Sequence, residues 1–173
     1  PTLLGYQRVF KDERIWIGYQ NTLLYTICGT LPGVCANLMA GYAFSRNDLP
    51  GRNLLMGIFV FTMYFGGGLI PFYMVVKTLN LTNTRLLMVL LGSVSVYNII
   101  IVRSFFKSTL PVELQEAAFI DGCTNQRFFF SIALPLSKAI IAVIALYCAV
   151  GYWNAYFNAL IFITETDKKP LQV

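Results

Sequence analysis

The sequence contains no histidine, and charged residues make up only 12% of it, about half the share of an ordinary soluble domain. Without imidazole, the most common general base and the most common neutral metal ligand are both missing. The four cysteines, Cys28, Cys35, Cys123 and Cys148, form no CxxC pair. Three of them lie in apolar stretches, where cysteine behaves as a small hydrophobe, so neither a metal site nor a disulfide framework is expected. There is no GxxxxGK[ST] loop, so the chain is not expected to bind or hydrolyse ATP. No acid interrupts the long apolar stretches, which counts against a membrane enzyme and against a proton- or sodium-driven carrier, since both need ionisable groups at depth. No signal peptide is read, and the sequence is expected to be a fragment.

What the chain has in quantity is apolar length. Hydrophobic residues make up 57% of it and the mean hydropathy is +0.63. Uncharged stretches run Ile15–Ser45, Asn53–Val76, Leu86–Val102 and Ala139–Thr164. Crossing the hydrocarbon takes ~20 apolar residues, which three of these supply. The shortest gains Ser104–Phe106 if Arg103 snorkels to the interface. The expected fold is an all-α membrane protein, a polytopic bundle of about four transmembrane helices, with residues 1–173 forming one domain. The net charge of +5 would suggest nucleic acid in a soluble protein. Here Lys and Arg gather at span ends, so the expected surroundings are membrane lipid and no nucleic acid.

Turn and breaker residues divide the chain further. Residues 1–18 read as a polar lead-in with "FKDERIW" at an interface. The first span is predicted over Tyr19–Phe44, with a kink at Pro32, and "SRNDLPGR" is a tight loop. The second begins near Leu54 and ends at Gly66–Gly68, before a short interfacial helix at Pro71–Leu81 and a turn at Thr82–Thr84. The third is predicted over Leu86–Phe106 and the fourth over Ala139–Ile163. Alternating spans put Arg46, Arg52, Arg103, Lys107, Arg127 and Lys138 on one side of the membrane. Arg8, Lys11, Arg14, Lys77, Arg85, Lys168 and Lys169 fall on the other, so charge alone does not orient the protein.

Between the last two spans lies an unusual segment, Lys107–Lys138. Pro111 suits a first helical turn, Glu113 and Glu116 complement the positive end of a helix dipole, and Gly122 suits the left-handed position that stops a helix. One helix is predicted over Pro111–Asp121, and a second from a cap at Thr124 or Asn125 until Pro135 disrupts it. Ala117 and Ala118 are small enough for a partner backbone to approach, and Glu116 and Asp121 flank them. An ordinary loop whose alanines favour helix fits the spacing as well.

The stretch "EAAFIDGCTNQRFFFSIALP" resembles the EAA loop of binding-protein-dependent ABC importer permeases. The family pattern stands here as Glu116-Ala117-Ala118, Gly122, Ile132 and Leu134-Pro135, with Asp121 before the glycine. "GYAFSRNDLPGR", "GGGLIPFYMVVKTLNLTNT" and "WNAYFNALIF" are similar to the carbohydrate-importer, maltose-permease-like branch. Members usually have six spans, so the first and last would be missing. The resemblance implies a permease in a bacterial or archaeal cell membrane with no catalytic site of its own. It would be paired with a second permease subunit, ABC ATPase subunits carrying ATP and Mg, and an extracytoplasmic solute-binding protein. The loop 107–138 would be cytoplasmic, with Glu116 and Gly122 as the main ATPase-coupling positions and Ala117, Ala118 and Asp121 completing the contact. A non-sugar solute, a secondary transporter or a structural membrane protein are the alternatives.

For a carbohydrate path, Tyr147, Gly151, Asn154 and Asn158 share one face of the predicted fourth span, with Trp153 and Tyr156 nearby. Amides suit sugar hydroxyls and aromatics suit sugar faces. Interhelical hydrogen bonding explains the same residues. Asn37 in the first span carries the same two readings.

Overall fold

The computed structural model describes residues 12–173, and every regular element among them is a helix. Residues 1–11 of the expected interfacial lead-in lie outside the described residues; from Glu13 on it is helical, so the first helix starts six residues before the predicted Tyr19. The helices are α1 (Glu13–Ser45), α2 (Arg52–Tyr64), α3 (Leu69–Thr78), α4 (Arg85–Leu91) and α5 (Val96–Thr109). After them come α6 (Val112–Ile120), α7 (Asn125–Phe128), α8 (Leu134–Leu136), α9 (Lys138–Trp153) and α10 (Tyr156–Phe162). A π-helical turn, Phe129–Ala133, joins α7 to α8.

Among the described residues, α1 alone is long and apolar enough to cross a membrane unaided, and it runs unbroken through Pro32. Pairing α2 with α3, α4 with α5, and the Asn125–Leu136 segment with α9 brings the spans to four if each bent pair counts as one. The chain turns by 85° at the last of these joints. The four expected spans therefore become one continuous helix and up to three broken ones. α2 contains no buried residue although its sequence, RNLLMGIFVFTMY, is almost wholly apolar. A face of that kind belongs against lipid or another protein, not water.

Two of the breaks were expected as continuous helix. The predicted span Leu86–Phe106 is interrupted at residues 92–95. Ser95 caps α5 by accepting from the Asn98 amide at 3.4 Å, and its own amide donates to Asn37 Oδ1 at 3.1 Å. The backbone groups freed by the break thus find side-chain partners, which an apolar setting requires. The predicted span Ala139–Ile163 is interrupted at Asn154–Ala155. There the Tyr156 amide reaches the Asn154 carbonyl at 2.7 Å around Ala155 (φ −74°, ψ 50°), an inverse γ-turn. The expected end of the helix at the glycines is observed, with residues 65–68 non-helical and α3 following.

Contacts divide the chain into two units. Among the described residues, one comprises 12–32, Gly67–Ser93 and Tyr147–Val173; the other Gly33–Gly66 and Val94–Leu146. In the first, Tyr25, Met88, Ala159 and Ile163 form one buried cluster and Val76, Leu87 and Phe162 another. Tyr152 is its tightest fit. A Cβ at Gly29 would lie 2.3 Å from the Tyr152 ring, and one at Gly92 would lie 2.8 Å away, so both glycines exist to admit it. Its hydroxyl donates to the Val89 carbonyl at 2.5 Å and lies 3.3 Å from Ser93 Oγ.

The tail of this unit is tied down by polar bonds. Asn21 donates to the carbonyls of Asp167 (2.7 Å) and Lys169 (3.1 Å), and Tyr25 donates to that of Lys168 (2.7 Å). The Leu171 amide donates to Thr22 Oγ1 at 2.9 Å, and Gln172 donates to the Trp153 carbonyl. Asn83, in the left-handed region at φ 61°, accepts from the amides of Thr164 and Glu165 at 3.2 Å each and donates to the Glu165 carboxylate. Lys168 hydrogen-bonds that carboxylate at 2.6 Å and holds its pKa below the usual range. In the second unit Tyr42 packs with Phe106, Phe128 and Phe129, and a Cβ at Gly41 would strike Val102 at 2.4 Å.

Candidate functional site: the helical elbow at residues 111–136

The elbow takes shape from its caps. Pro111 occupies the N-cap of α6 at ψ 145°, and Glu113 lies in the first turn. At the other end Gly122 takes φ 77°, its amide donates to the Phe119 carbonyl at 3.0 Å, and the Cys123 amide donates to the Ala118 carbonyl at 2.9 Å. This is the paired 5→2 and 6→1 bonding of a Schellman motif, and it is the end expected from Gly122. Thr124 caps α7, its Oγ1 accepting from the Arg127 amide at 3.3 Å.

Pro135 acts differently from expectation. It sits in the first turn of α8, and the helical path gives way at Ser137 instead. The strain of a proline following a helix is taken up upstream by the wide turn Phe129–Ala133. Widening the loop there relieves the clash between the proline ring and the carbonyl four residues earlier.

α6 has two distinct edges. Val112, Glu113, Glu116, Ala117 and Ile120 are exposed, with Ile120 at 87%, and Asp121 and Gly122 continue that surface. Ala118 faces the other way and is buried, and Gln115 is half-buried beside it. The two alanines therefore do not make one flat patch. At 100° per residue, Ala118 falls on the packed edge that Ala117 avoids. In place of Ala118, the exposed edge carries Ile120.

The packed edge meets Arg46, a residue only 7% exposed. Its Nε and Nη2 donate to the two Asp48 oxygens, each at 2.7 Å, and its Nη1 donates to the Tyr42 hydroxyl at 3.0 Å. With the Gln115 amide turned so that its oxygen faces these donors, it accepts from Arg46 Nη2 at 2.7 Å and Nη1 at 3.1 Å. The guanidinium carbon lies 5.2 Å from the Phe119 ring centroid and 5.8 Å from that of Tyr42. The Arg46 hydrogen bonds hold the Asp48 carboxyl below the usual range, and the Asp48 bond in turn pushes the Arg46 pKa up. Arg52 braces the same turn through the Arg46 carbonyl at 3.0 Å and Asn47 at 2.8 Å. The one signal of this cluster in the sequence was the Arg46-x-Asp48 spacing.

The residues expected to line a solute path are scattered in their roles. Tyr147, Gly151 and Asn154 are exposed on α9 and just past its end. Asn154 Nδ2 turns back to the Val150 carbonyl at 2.9 Å. Asn158 lies beyond the γ-turn on α10, so the predicted single face through all four residues does not exist. Trp153 is half-buried, edge-on to Tyr19 at 6.0 Å. Asn37 is fully buried, its amide donating to the Gly33 carbonyl at 2.7 Å and accepting from Ser95, so its visible work is to join two helices.

The chain is similar to known transport proteins along nearly its whole length. It is 40% identical over 172 residues to Protein LplC of Bacillus subtilis (strain 168), an alignment covering 99% of this chain and 58% of that protein. It is 38% identical to the polygalacturonan/rhamnogalacturonan transport system permease protein YtcP of the same organism, covering 99% of this chain and 60% of that one. The fold matches a crystal structure of a bacterial ABC transporter involved in the import of the acidic polysaccharide alginate. There the TM-score is 0.93 and the identity 34%, over 97% of this chain and 60% of that one. The chain thus spans about three fifths of the length of these relatives. The family model for the binding-protein-dependent transport system inner membrane component matches residues 33–168, a range that holds the whole elbow, and the chain belongs to that family.

Proposed function

We propose that the chain is the translocating part of a permease subunit in an ATP-driven importer of carbohydrate, most simply an oligosaccharide, in a bacterial or archaeal cell membrane. The observation that carries the reading is the α6 elbow. Its exposed edge of Glu113, Glu116, Ala117 and Ile120 ends at a Schellman-locked Gly122. Such an edge suits a groove on a partner: an apolar anchor, a small residue for close approach, and carboxylates for a partner's Lys or Arg. On this reading 107–138 faces the cytoplasm and α6 docks on an ABC ATPase subunit, which binds the ATP and Mg. A second permease subunit completes the path and an extracytoplasmic solute-binding protein delivers the sugar. The names of YtcP and of the alginate transporter support the substrate class. Exposed Tyr147, Gly151 and Asn154 are its candidate contacts in this chain.

The test is reconstitution of the full-length permease with its ATPase subunits and binding protein in proteoliposomes. Glu116→Ala and Gly122→Val are expected to lower oligosaccharide uptake and ATPase retention while membrane insertion is unchanged. Uptake that continues at the same rate without nucleotide refutes the proposal.

A further inference from the structure

We infer that Arg46 is the positioning residue through which movement of α6 reaches the C-terminal end of α1. The inference rests on the reading of α6 as the ATPase-docking helix and adds to it the route by which docking is felt.

Arg46 is held from both sides. Tyr42 and Asp48 belong to its own stretch of chain, at the end of α1 and in the following turn. Gln115, half-buried, and Phe119, whose ring stays 37% exposed, lie one helical turn apart on the side of α6 that meets Arg46. The two edges of α6 therefore divide the work, one left free and the other closed on a cation. The guanidinium is suited to this because its donors are fixed in one plane. Asp48 takes Nε and Nη2, Tyr42 takes Nη1, and Gln115 bridges Nη1 and Nη2, so shifting α6 strains bonds that α1 shares. Burial of the guanidinium makes leaving it unpaired costly, although the Asp48 carboxylate beside it is half-exposed. Tyr42 carries the strain onward, since its ring packs on Phe106 of α5 and on Phe128 and Phe129 beyond Gly122. Packed side chains and hydrogen-bonded groups of this kind can carry coupling between two elements.

The test reads coupling, not assembly. In the reconstituted full transporter, oligosaccharide moved per ATP hydrolysed is measured beside ATPase co-purification. Arg46→Lys keeps the charge and loses the fork. Gln115→Ala removes the hydrogen-bonded part of the α6 tie and leaves Arg46 with Asp48, Tyr42 and the Phe119 ring face. Each is expected to lower the transport-to-hydrolysis ratio by about 2- to 30-fold, the range found for residues along coupling networks, with ATPase retention unchanged. Arg46→Lys combined with Gln115→Glu restores an ion pair to α6 and is expected to recover much of the ratio. A wild-type ratio in both single variants overturns the inference. So does a loss of ATPase retention that accounts for the whole transport defect, or a double variant no better than Arg46→Lys. Failure of the docking reading is separable: Glu116→Ala and Gly122→Val would then retain ATPase and transport normally, whatever Arg46 does.

Discussion

Replacing Gly122 by alanine, valine and asparagine tests whether the elbow depends on backbone geometry or on space at its surface. Nothing lies within 4 Å of the position a Cβ would occupy, so no neighbour within the chain opposes a side chain. The cost comes from φ 77°, where an ordinary L-residue is disfavoured by roughly 1–2 kcal/mol. That is enough to reduce the population of the closed Schellman end by about 5- to 30-fold relative to glycine. Both closing bonds, Gly122 to Phe119 and Cys123 to Ala118, open together. Asparagine adopts this region with less penalty, whereas a β-branched residue is a worse fit than alanine. The expected order for uptake and ATPase retention is Gly, then Asn, then Ala, then Val, read by reconstituted transport and co-purification at matched expression. If asparagine is as damaging as valine, the penalty follows size, and the argument from backbone conformation is refuted.

Three further outcomes are expected. Gly92→Ala places a Cβ 2.8 Å from the Tyr152 ring and should cost about 1–3 kcal/mol by overpacking, while Tyr152→Phe should cost about 0.5–1.5 kcal/mol through its lost hydroxyl bonds. Thermal unfolding in detergent orders the two. Asn83→Ala removes the acceptor shared by the Thr164 and Glu165 amides and strains φ 61°, so hydrogen exchange at residues 164–168 should rise by tenfold or more, about 1.4 kcal/mol. Asp48 has a lowered folded pKa, so its stabilising contribution is complete at neutral pH and is lost only as pH falls below about 4. The stability difference between wild type and Asp48→Asn should be constant from pH 5 to 8 and shrink in acid.

The elements that could be read from sequence were those whose boundary residues act locally. Gly122, Thr124 and the glycines at 66–68 each set their own backbone or cap their own helix, and each appears where its chemistry puts it. The breaks at 92–95 and 154–155 were not legible, because an uncharged stretch reports greasiness and not continuity. The first is satisfied from far along the chain, the Ser95 amide by Asn37. The second closes on its own backbone at Ala155, for which an Asn-Ala-Tyr sequence gives no warning. At the elbow, the EAA pattern located α6 but not its orientation. Only the packing of Gln115 and Phe119 around Arg46 shows that Ala118 turns inward and Ile120 outward.

The bond from Gln172 to the Trp153 carbonyl has a consequence for how these two positions drift among relatives. The acceptor is main chain, so position 153 is free to exchange its indole for another ring without disturbing the tie. Position 172 enjoys no such freedom, because a donor of the right reach must come from its side chain. Substitution there should be narrow, confined to glutamine and its near equivalents, even though the residue looks like an unremarkable polar member of a surface tail.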